Sequence, residues 1–262
     1  MTRNILVTGA ASGIGKALCH LLEKEGAAVY AVDRSFEPGQ FRHSMVCDLT
    51  DPAAISNLPA ELPELHGIAS VAGVPGTLPA VDVLAVNFLA PKLLVKNLLQ
   101  QVVPGSALVN VSSVAAARNI VPADQVLALQ EVEDIDDIRR WLSANPVSDA
   151  QSYDTSKRAL TDWTARLAAT LLPHEIRAVS VSPGPVQTPI LADFTTSMGA
   201  DAIDRSAAIV GRHGRPEEIA SVIAFALSPD SSWVNGIDLC ADGGLTAARQ
   251  AIPLNLHYGA RL

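Results

Sequence analysis

Tyr153 and Lys157, in Tyr153-Asp154-Thr155-Ser156-Lys157, stand at i and i+4 and share one helical face. A phenol titrates at about pH 10 and is a poor base at neutral pH, but a neighbouring ammonium favours the phenolate and lowers that value. Tyr153 is then able to take the proton of an alcohol as a hydride leaves its carbon. The spacing alone is a weak signal, because many helices contain it by chance. Ser112-Ser113 closes an apolar run and offers a hydroxyl to a substrate oxygen; alone it is a polar strand end. Asn87, in Val86-Asn87-Phe88, is a polar residue in an apolar helix and reads equally as a satisfied buried amide.

A second group of residues suits a dinucleotide. Thr8-Gly9-Ala10-Ala11-Ser12-Gly13-Ile14-Gly15 follows the apolar run ending at Val7 and opens a helix near Ile14. Glycines there let the backbone approach a pyrophosphate, and a helix N-terminus supplies amide donors and a favourable dipole. Asp33 follows 18 residues after Gly15, at the end of the second apolar run. A carboxylate there accepts both hydroxyls of an adenosine ribose and repels a 2′-phosphate, so NAD is expected over NADP. Arg34 argues the other way, since an arginine beside the ribose accommodates phosphate, but the aspartate's strand-end position carries more weight. Asp48-Leu49 ends the third run, where a carboxylate meets an adenine amino group; capping of the helix ahead of Pro52 explains Asp48 nearly as well.

These residues need a scaffold. Nearly all-apolar strand candidates lie at Asn4–Thr8, Ala28–Val32, His43–Val46, Gly67–Ala72, Ala107–Ser112, Arg177–Ser182 and Ile237–Cys240, as in parallel strands covered on both faces. Helical periods fill Ile14–Glu25, Pro52–Leu58, Val81–Val103, Tyr153–Leu172 and Pro216–Leu227. The alternation predicts an α/β fold, a Rossmann-type doubly wound parallel sheet in one domain over residues 1–262. Two segments exceed that pattern. A helical insertion over about 116–150 carries the acidic stretch Asp124–Leu142, whose Ile135, Ile138, Trp141 and Leu142 form a stripe at helical spacing. It reads as a solvated helix or, more sharply, as an oligomer contact or substrate wall. The long segment of about 184–214 reads as a substrate loop or lid. Leu245–Leu262 is a tail suited to capping the site or reaching a neighbouring subunit.

Composition narrows the function classes. Of 262 residues 48% are hydrophobic and 18% charged, enough apolar material for a large core. Nineteen Lys and Arg against 27 Asp and Glu, net charge -8, argue against nucleic-acid or anionic-membrane binding. Cys19, Cys47 and Cys240 are dispersed and odd in number, which points to small buried hydrophobes in a reducing compartment. The six histidines show no metal-binding spacing. No apolar run is long enough for a membrane span, and the run at Ile5–Val7 leads into the glycine turn rather than a longer signal segment. A cytoplasmic, metal-free protein is expected.

From Asn4 to about Thr246 the motifs together resemble the short-chain dehydrogenase/reductase family. They are Thr8–Gly15, Asp48-Leu49, Val71-Ala72-Gly73, Asn87, Ser113, Tyr153 with Lys157, Pro183-Gly184 with Thr188, and Asp242-Gly243-Gly244. The resemblance implies a seven-stranded sheet in the order 3-2-1-4-5-6-7 and a catalytic quartet of Asn87, Ser113, Tyr153 and Lys157. It further implies cofactor contacts at Gly9, Ser12, Gly13, Ile14, Gly15, Asp33, Asp48, Leu49, Ala72, Gly73, Pro183, Gly184, Val186 and Thr188, besides Tyr153 and Lys157. Asn87 would anchor a water chain that relays protons. Ser70-Val71 departs from the asparagine pair common in the family, and 40 residues separate Ser113 from Tyr153 where about a dozen are usual. That insertion resembles a bacterial subgroup of 3α-hydroxysteroid dehydrogenase/carbonyl reductases and coniferyl-alcohol dehydrogenases, and implies a homodimer rather than a tetramer.

The expected function is NAD-dependent hydride transfer to or from a hydrophobic, cyclic secondary alcohol or ketone, steroid-like or terpenoid-like. The expected pocket wall is Val74, Pro75, Ile190, Leu191, Phe194 and Met198. An aromatic primary alcohol is the nearest alternative. A nucleotide-sugar epimerase fits the glycine spacing and the short chain after Tyr153 poorly. A non-catalytic NAD sensor does not need the complete quartet, and no nucleophile elbow surrounds Ser12 for a serine hydrolase.

Overall fold

The computed structural model describes residues 2–191 and 200–250. Seven parallel strands run β1 (Asn4–Thr8), β2 (Ala28–Asp33), β3 (His43–Val46), β4 (Leu65–Ser70), β5 (Val102–Val111), β6 (Arg177–Pro183) and β7 (Asp238–Ala241). Their order is β3-β2-β1-β4-β5-β6-β7. The order reverses between β1 and β4, which places a crevice at their carboxyl ends, where ligands of such sheets bind. The Thr8 hydroxyl closes this junction by accepting the Val71 and Ala72 amides at 3.1 and 3.2 Å.

Helices cover both faces, and the central strands β1 and β4 are correspondingly rich in buried apolar residues, while the edge strands β3 and β7 are partly exposed. One layer holds α1 (Gly13–Lys24) and the later helix Pro216–Leu227, packed on the sheet through Leu18, Leu22, Ile219 and Ile223. The other contains α2 (Pro52–Asn57), α3 (Ala80–Leu84), α4 (Ala90–Leu98), α5 (Ala123–Leu129), α6 (Ile135–Ala144) and α7 (Asp149–Leu171). Phe88 lies fully buried there, edge-on to Trp163 at 6.2 Å. Its burial contributes about 2–3 kcal/mol. The chain ends its described part with α8 (Ala200–Val210), α9 (the helix Pro216–Leu227) and α10 (Leu245–Gln250).

Three expectations change. The helix expected over Val81–Val103 is broken: a π turn, Ala85–Leu89, separates α3 from α4. Pro91 has no N–H for the Asn87 carbonyl four residues back, so regular α-helical bonding stops there. Val102 and Val103 begin β5 instead, because β-branched residues favour strands and a residue before proline avoids helix. The segment over 184–214 is no simple loop, since α8 lies within it.

The insertion forms two helices and turns its apolar stripe inward. Ile138 and Trp141 are buried in the main core, 0% and 6% exposed, with Ile135 and Leu142 packed against it. This corrects the reading of the stripe as an oligomer contact or substrate wall, because the chain's own fold covers it, while the polar face of α6 with Asp136, Arg139 and Arg140 stays solvated. Lys92 of α4 fastens the linker between α5 and α6, donating to the Gln130 and Val132 carbonyls at 3.0 and 2.7 Å and pairing with Glu133 at 2.8 Å. Arg166 of α7 adds bonds to Gln130 and Glu131. Cys19 and Cys47 are buried as expected, but Cys240 is exposed.

Candidate active site

A cleft of about 460 Å³ opens at the carboxyl edge of the sheet, across the β1/β4 junction. Gly9, Ser12, Gly13, Ile14, Gly15, Asp33, Asp48, Leu49, Ala72, Gly73, Ser113, Tyr153, Lys157, Pro183, Gly184, Val186 and Thr188 all line it. Asn87 does not. Sequence reasoning missed Cys47, Thr50, Leu78, Asp82 and Val86 on the same wall. Only their place after β3, ahead of the π turn or, for Val86, within it could have revealed them. Of the expected substrate wall, Val74 and Ile190 line the cleft, whereas Pro75 and Leu191 are not among its lining residues. Phe194, Met198 and residues 251–262 of the tail lie outside the described residues.

The glycine turn is shaped by close packing. Gly9 has φ 67°, and a Cβ there would lie 2.7 Å from Ala72 Cα. A Cβ on Gly15 would lie 2.0 Å from the Gly9 carbonyl oxygen. No other residue lets α1 start this close to β1 and β4. Ser12 precedes α1 without a side-chain cap, so the first-turn amides at Gly13–Gly15 remain for a ligand lying in the cleft. Asp33, at the end of β2, is oriented by two amides, Ala11 N to Oδ2 at 2.9 Å and Arg34 N to Oδ1 at 2.7 Å. Gln40 donates to the Ala11 carbonyl at 2.8 Å and closes the loop beside it. Asp48 caps its own turn by accepting the Thr50 amide and hydroxyl, which hold its carboxyl below the usual carboxylate range.

A polar seam registers α7 on β5. Asn110 donates to the Thr164 hydroxyl at 2.9 Å. The Ser112 hydroxyl donates to the Lys157 carbonyl at 2.9 Å and lies 2.8 Å from the Thr161 hydroxyl. A Ser148–Gln151 capping box starts α7 four residues before Tyr153. The seam brings Ser113, at the end of β5, onto the Tyr153 phenol, with which it hydrogen-bonds. Lys157 is 4% exposed; its Nζ donates to the Val111 carbonyl at 2.9 Å and lies 5.7 Å from the Tyr153 ring centroid. Asn87 sits behind this group, fully buried. Its Oδ1 accepts the Val74 amide at 2.8 Å, and its Nδ2 donates to the Val74 carbonyl at 3.0 Å and to the Ser156 hydroxyl at 3.2 Å. Gly73 closes the ring, since a Cβ there would lie 3.4 Å from both Asn87 Oδ1 and Lys157 Nζ.

The electrostatics differ from the expectation. Burial pushes the Tyr153 phenol up to about 12, against the relief given by the Ser113 hydrogen bond and Arg118. The lowering expected from Lys157 is not what this protein alone displays; desolvation of the phenolate is the larger effect. Burial also pushes Lys157 down to about 8, so it stays mostly cationic at neutral pH.

The donor set implies a nicotinamide dinucleotide, and the residues fit it. Uncapped helix amides face the cleft at one point, an oriented strand-end carboxylate at a second, and a serine–tyrosine–lysine group at the far wall. Among the described residues no group of three or more His, Cys, Asp and Glu is placed to hold a metal ion, and no helix is long and apolar enough to cross a membrane.

Residues 3–123 match the family model described as short chain dehydrogenase, and residues 142–246 match one described as enoyl-(acyl carrier protein) reductase. Coniferyl-alcohol dehydrogenase of Pseudomonas sp. (strain HR199 / DSM 7063) is 35% identical over 247 residues, 94% of this chain and 97% of that protein. 3-Alpha-hydroxysteroid dehydrogenase/carbonyl reductase of Comamonas testosteroni is 30% identical, over 93% of this chain and 96% of that protein. The crystal structure of the 3-alpha-hydroxysteroid dehydrogenase from Pseudomonas sp. B-0831 complexed with NADH superposes with a TM-score of 0.82 at 29% identity. It covers 96% of this chain and 100% of that one.

Proposed function

The chain belongs to the short-chain dehydrogenase/reductase family, NAD(P)-dependent oxidoreductases acting on alcohols, and on that premise we propose that it uses NAD to interconvert a hydrophobic, cyclic secondary alcohol and its ketone. The observation that carries this reading is the convergence of Ser113, Tyr153 and Lys157 on the same cleft as Asp33 and the glycine turn. NAD is favoured because Asp33 presents an oriented carboxylate at the end of β2, which accepts ribose hydroxyls and repels a 2′-phosphate.

When bound, the oxidised dinucleotide supplies the hydride acceptor and a positive charge beside the phenol. Ser12, Gly13, Ile14 and Gly15 would hold its pyrophosphate, and Asp33 would hold its adenosine ribose. Asp48 and Leu49 would line the adenine side and Ala72 and Gly73 the middle of the cleft, while Pro183, Gly184, Val186 and Thr188 would hold the nicotinamide end. Ser113 donates a hydrogen bond to the substrate oxygen. Tyr153 takes the proton from that oxygen during oxidation and returns it during reduction. Lys157 keeps its ammonium beside the ring and binds the nicotinamide ribose, and its positive charge favours the phenolate. Asn87 braces the wall by tying the Val74 loop to Ser156 on α7.

The cyclic-alcohol reading is supported by Val74, Leu78 and Ile190 on the wall and by relatives named as hydroxysteroid and cyclopentanol dehydrogenases. A second reading, an aromatic primary alcohol of the coniferyl type, is favoured by the 35% identity to coniferyl-alcohol dehydrogenase. We place the enzyme in the cytoplasm as a homodimer. The insertion packs on α4 and α7 through Lys92 and Arg166, which supports a dimer over a tetramer joined through the bare faces of those helices. The test is NADH formation by purified protein on 3α-hydroxysteroids, cyclic alcohols and cinnamyl-type alcohols, repeated with NADP. Turnover of one cyclic class with NAD is expected. Activity confined to cinnamyl-type alcohols transfers the assignment to the second reading, and preference for NADP overturns the role given to Asp33.

A further inference from the structure

The turn that carries Ser113 is tied to α7 at a point the mechanism above does not use. Ser113 opens the short 3-10 turn Val114–Arg118, its hydroxyl accepting the Ala115 amide at 3.1 Å. At the other end Arg118 grips Asp154 with both arms of its guanidinium, Nε to Oδ2 at 3.1 Å and Nη2 to Oδ1 at 2.6 Å. The adjoining Asn119 has its Oδ1 2.9 Å from the Thr155 hydroxyl. Both joints link residues 36 apart in sequence, because the chain builds α5 and α6 before it returns as α7. The covalent path is therefore too long to set the distance from Ser113 to Tyr153, and non-covalent joints must set it.

Asp154 follows Tyr153 directly, about 100° further around the helix. Fixing one carboxylate by a two-point fork fixes the rotation of α7 at its neighbour. We propose that Arg118 and Asp154 are a positioning pair for Tyr153, whose ion pair, added to the β5–α7 seam, clamps the far end of the Ser113 turn to the first turns of α7 and so keeps the serine hydroxyl on the phenol. This rests on the reading of Tyr153 as the acid–base group and Ser113 as the holder of the substrate oxygen. The two side chains are 39% and 17% exposed, and ion pairs so placed add little to folding stability. Their effect falls on geometry.

Charge separates this role from a merely structural one. The phenol is faced by Ser113 and Arg118 from the turn and by Asp154 and Lys157 from its own helix. Arg118 favours the phenolate and Asp154 opposes it. The pair acts as one unit in geometry but in opposite directions on Tyr153 ionisation.

The experiment compares Arg118→Ala, Arg118→Lys, Asp154→Asn and the Arg118→Ala/Asp154→Asn double variant. NADH formation is followed with cyclohexanol and with coniferyl alcohol, and Tyr153 ionisation by ring-carbon NMR of the cofactor-free protein, assigned with Tyr153→Phe. Each neutralising variant lowers kcat about tenfold, a fraction of the loss a fully misplaced group can cause, with KM for NAD and alcohol within about twofold. The double variant is no worse than the poorer single one, since both break the same pair. Arg118→Lys keeps the charge but loses the fork, so it holds Tyr153 ionisation near wild type without restoring kcat. Ionisation moves up in Arg118→Ala and down in Asp154→Asn, with melting temperatures unchanged, and this arm needs no substrate. Unchanged kcat in both single variants, multiplying losses in the double one, or ionisation moving in one direction in both would overturn the proposal. Turnover retained in Tyr153→Phe would instead remove the acid–base reading on which it rests.

Discussion

Lys157→Met should change how the stability of the cofactor-free protein depends on pH. Burial holds the Lys157 ammonium at about 8 instead of its ordinary 10.5, so the unfolded chain binds this proton more tightly than the folded one. Between these two values the unfolded chain carries more protons, and the Lys157 contribution makes stability rise with pH. The fall from 10.5 to about 8, at about 1.4 kcal/mol per pH unit, is worth on the order of 3 kcal/mol in full. Most of it is recovered between about pH 7 and pH 10. Other groups act in the opposite sense there: Cys19, Cys47 and Tyr153 are pushed up to about 12, about 11 and about 12, and stabilisation from raised groups is lost as pH rises. The wild-type curve alone is therefore uninformative, and the difference from the Lys157→Met variant isolates the lysine. Urea unfolding of both proteins across that range should show wild type gaining on the variant by on the order of 2 kcal/mol as pH rises. The unpaired Val111 carbonyl in the variant displaces the two curves by a constant and leaves the difference in slope intact. Parallel curves would refute the idea that Lys157 is a buried, destabilised cation.

Three further variants test other joints. Asp33→Asn should weaken NAD binding by about 10- to 100-fold, the worth of a charge-assisted hydrogen bond, while NADP binding by calorimetry changes less. Trp141→Ala should cost about 3–5 kcal/mol in urea unfolding, because the ring is in the core and its Nε1 donates to Gln125 at 2.9 Å; a loss below about 1 kcal/mol would return the insertion to the surface. Gly15→Ala should abolish dinucleotide binding by calorimetry, since its Cβ would lie 2.0 Å from the Gly9 oxygen; retained affinity would show that the turn yields.

The strands and the site's main residues were legible in the sequence for different reasons. Parallel strands buried on both faces are rich in apolar residues, so β1 and β2 stand where their runs predict; β6, which buries Arg177, Ser180 and Ser182, and the edge strand β3, with Ser44 and Val46 exposed, stand there too despite a mixed pattern. The break between α3 and α4 was hidden, because Val81–Val103 keeps a helical period through Pro91 and only the missing proline N–H interrupts it. The stripe Ile135–Leu142 announced a buried face, but amphipathicity does not say what covers that face, and here the protein's own core does. Tyr153 and Lys157 were placed on one helix face by spacing alone. Their titration was not legible, since desolvation depends on every element closing around them. Cys47 reads from the sequence only as a small buried hydrophobe and nothing marks Asp82; they reach the cleft through the sheet edge after β3 and through α3.

The most direct test of the central claim is single-turnover hydride transfer in Tyr153→Phe, with NAD affinity measured on the same sample. The account predicts at least about a 100-fold loss of rate, the lower end for general acid–base catalysis, with NAD affinity within about twofold of wild type. Near-wild-type transfer in that variant would contradict the assignment of Tyr153 as the group that moves the proton.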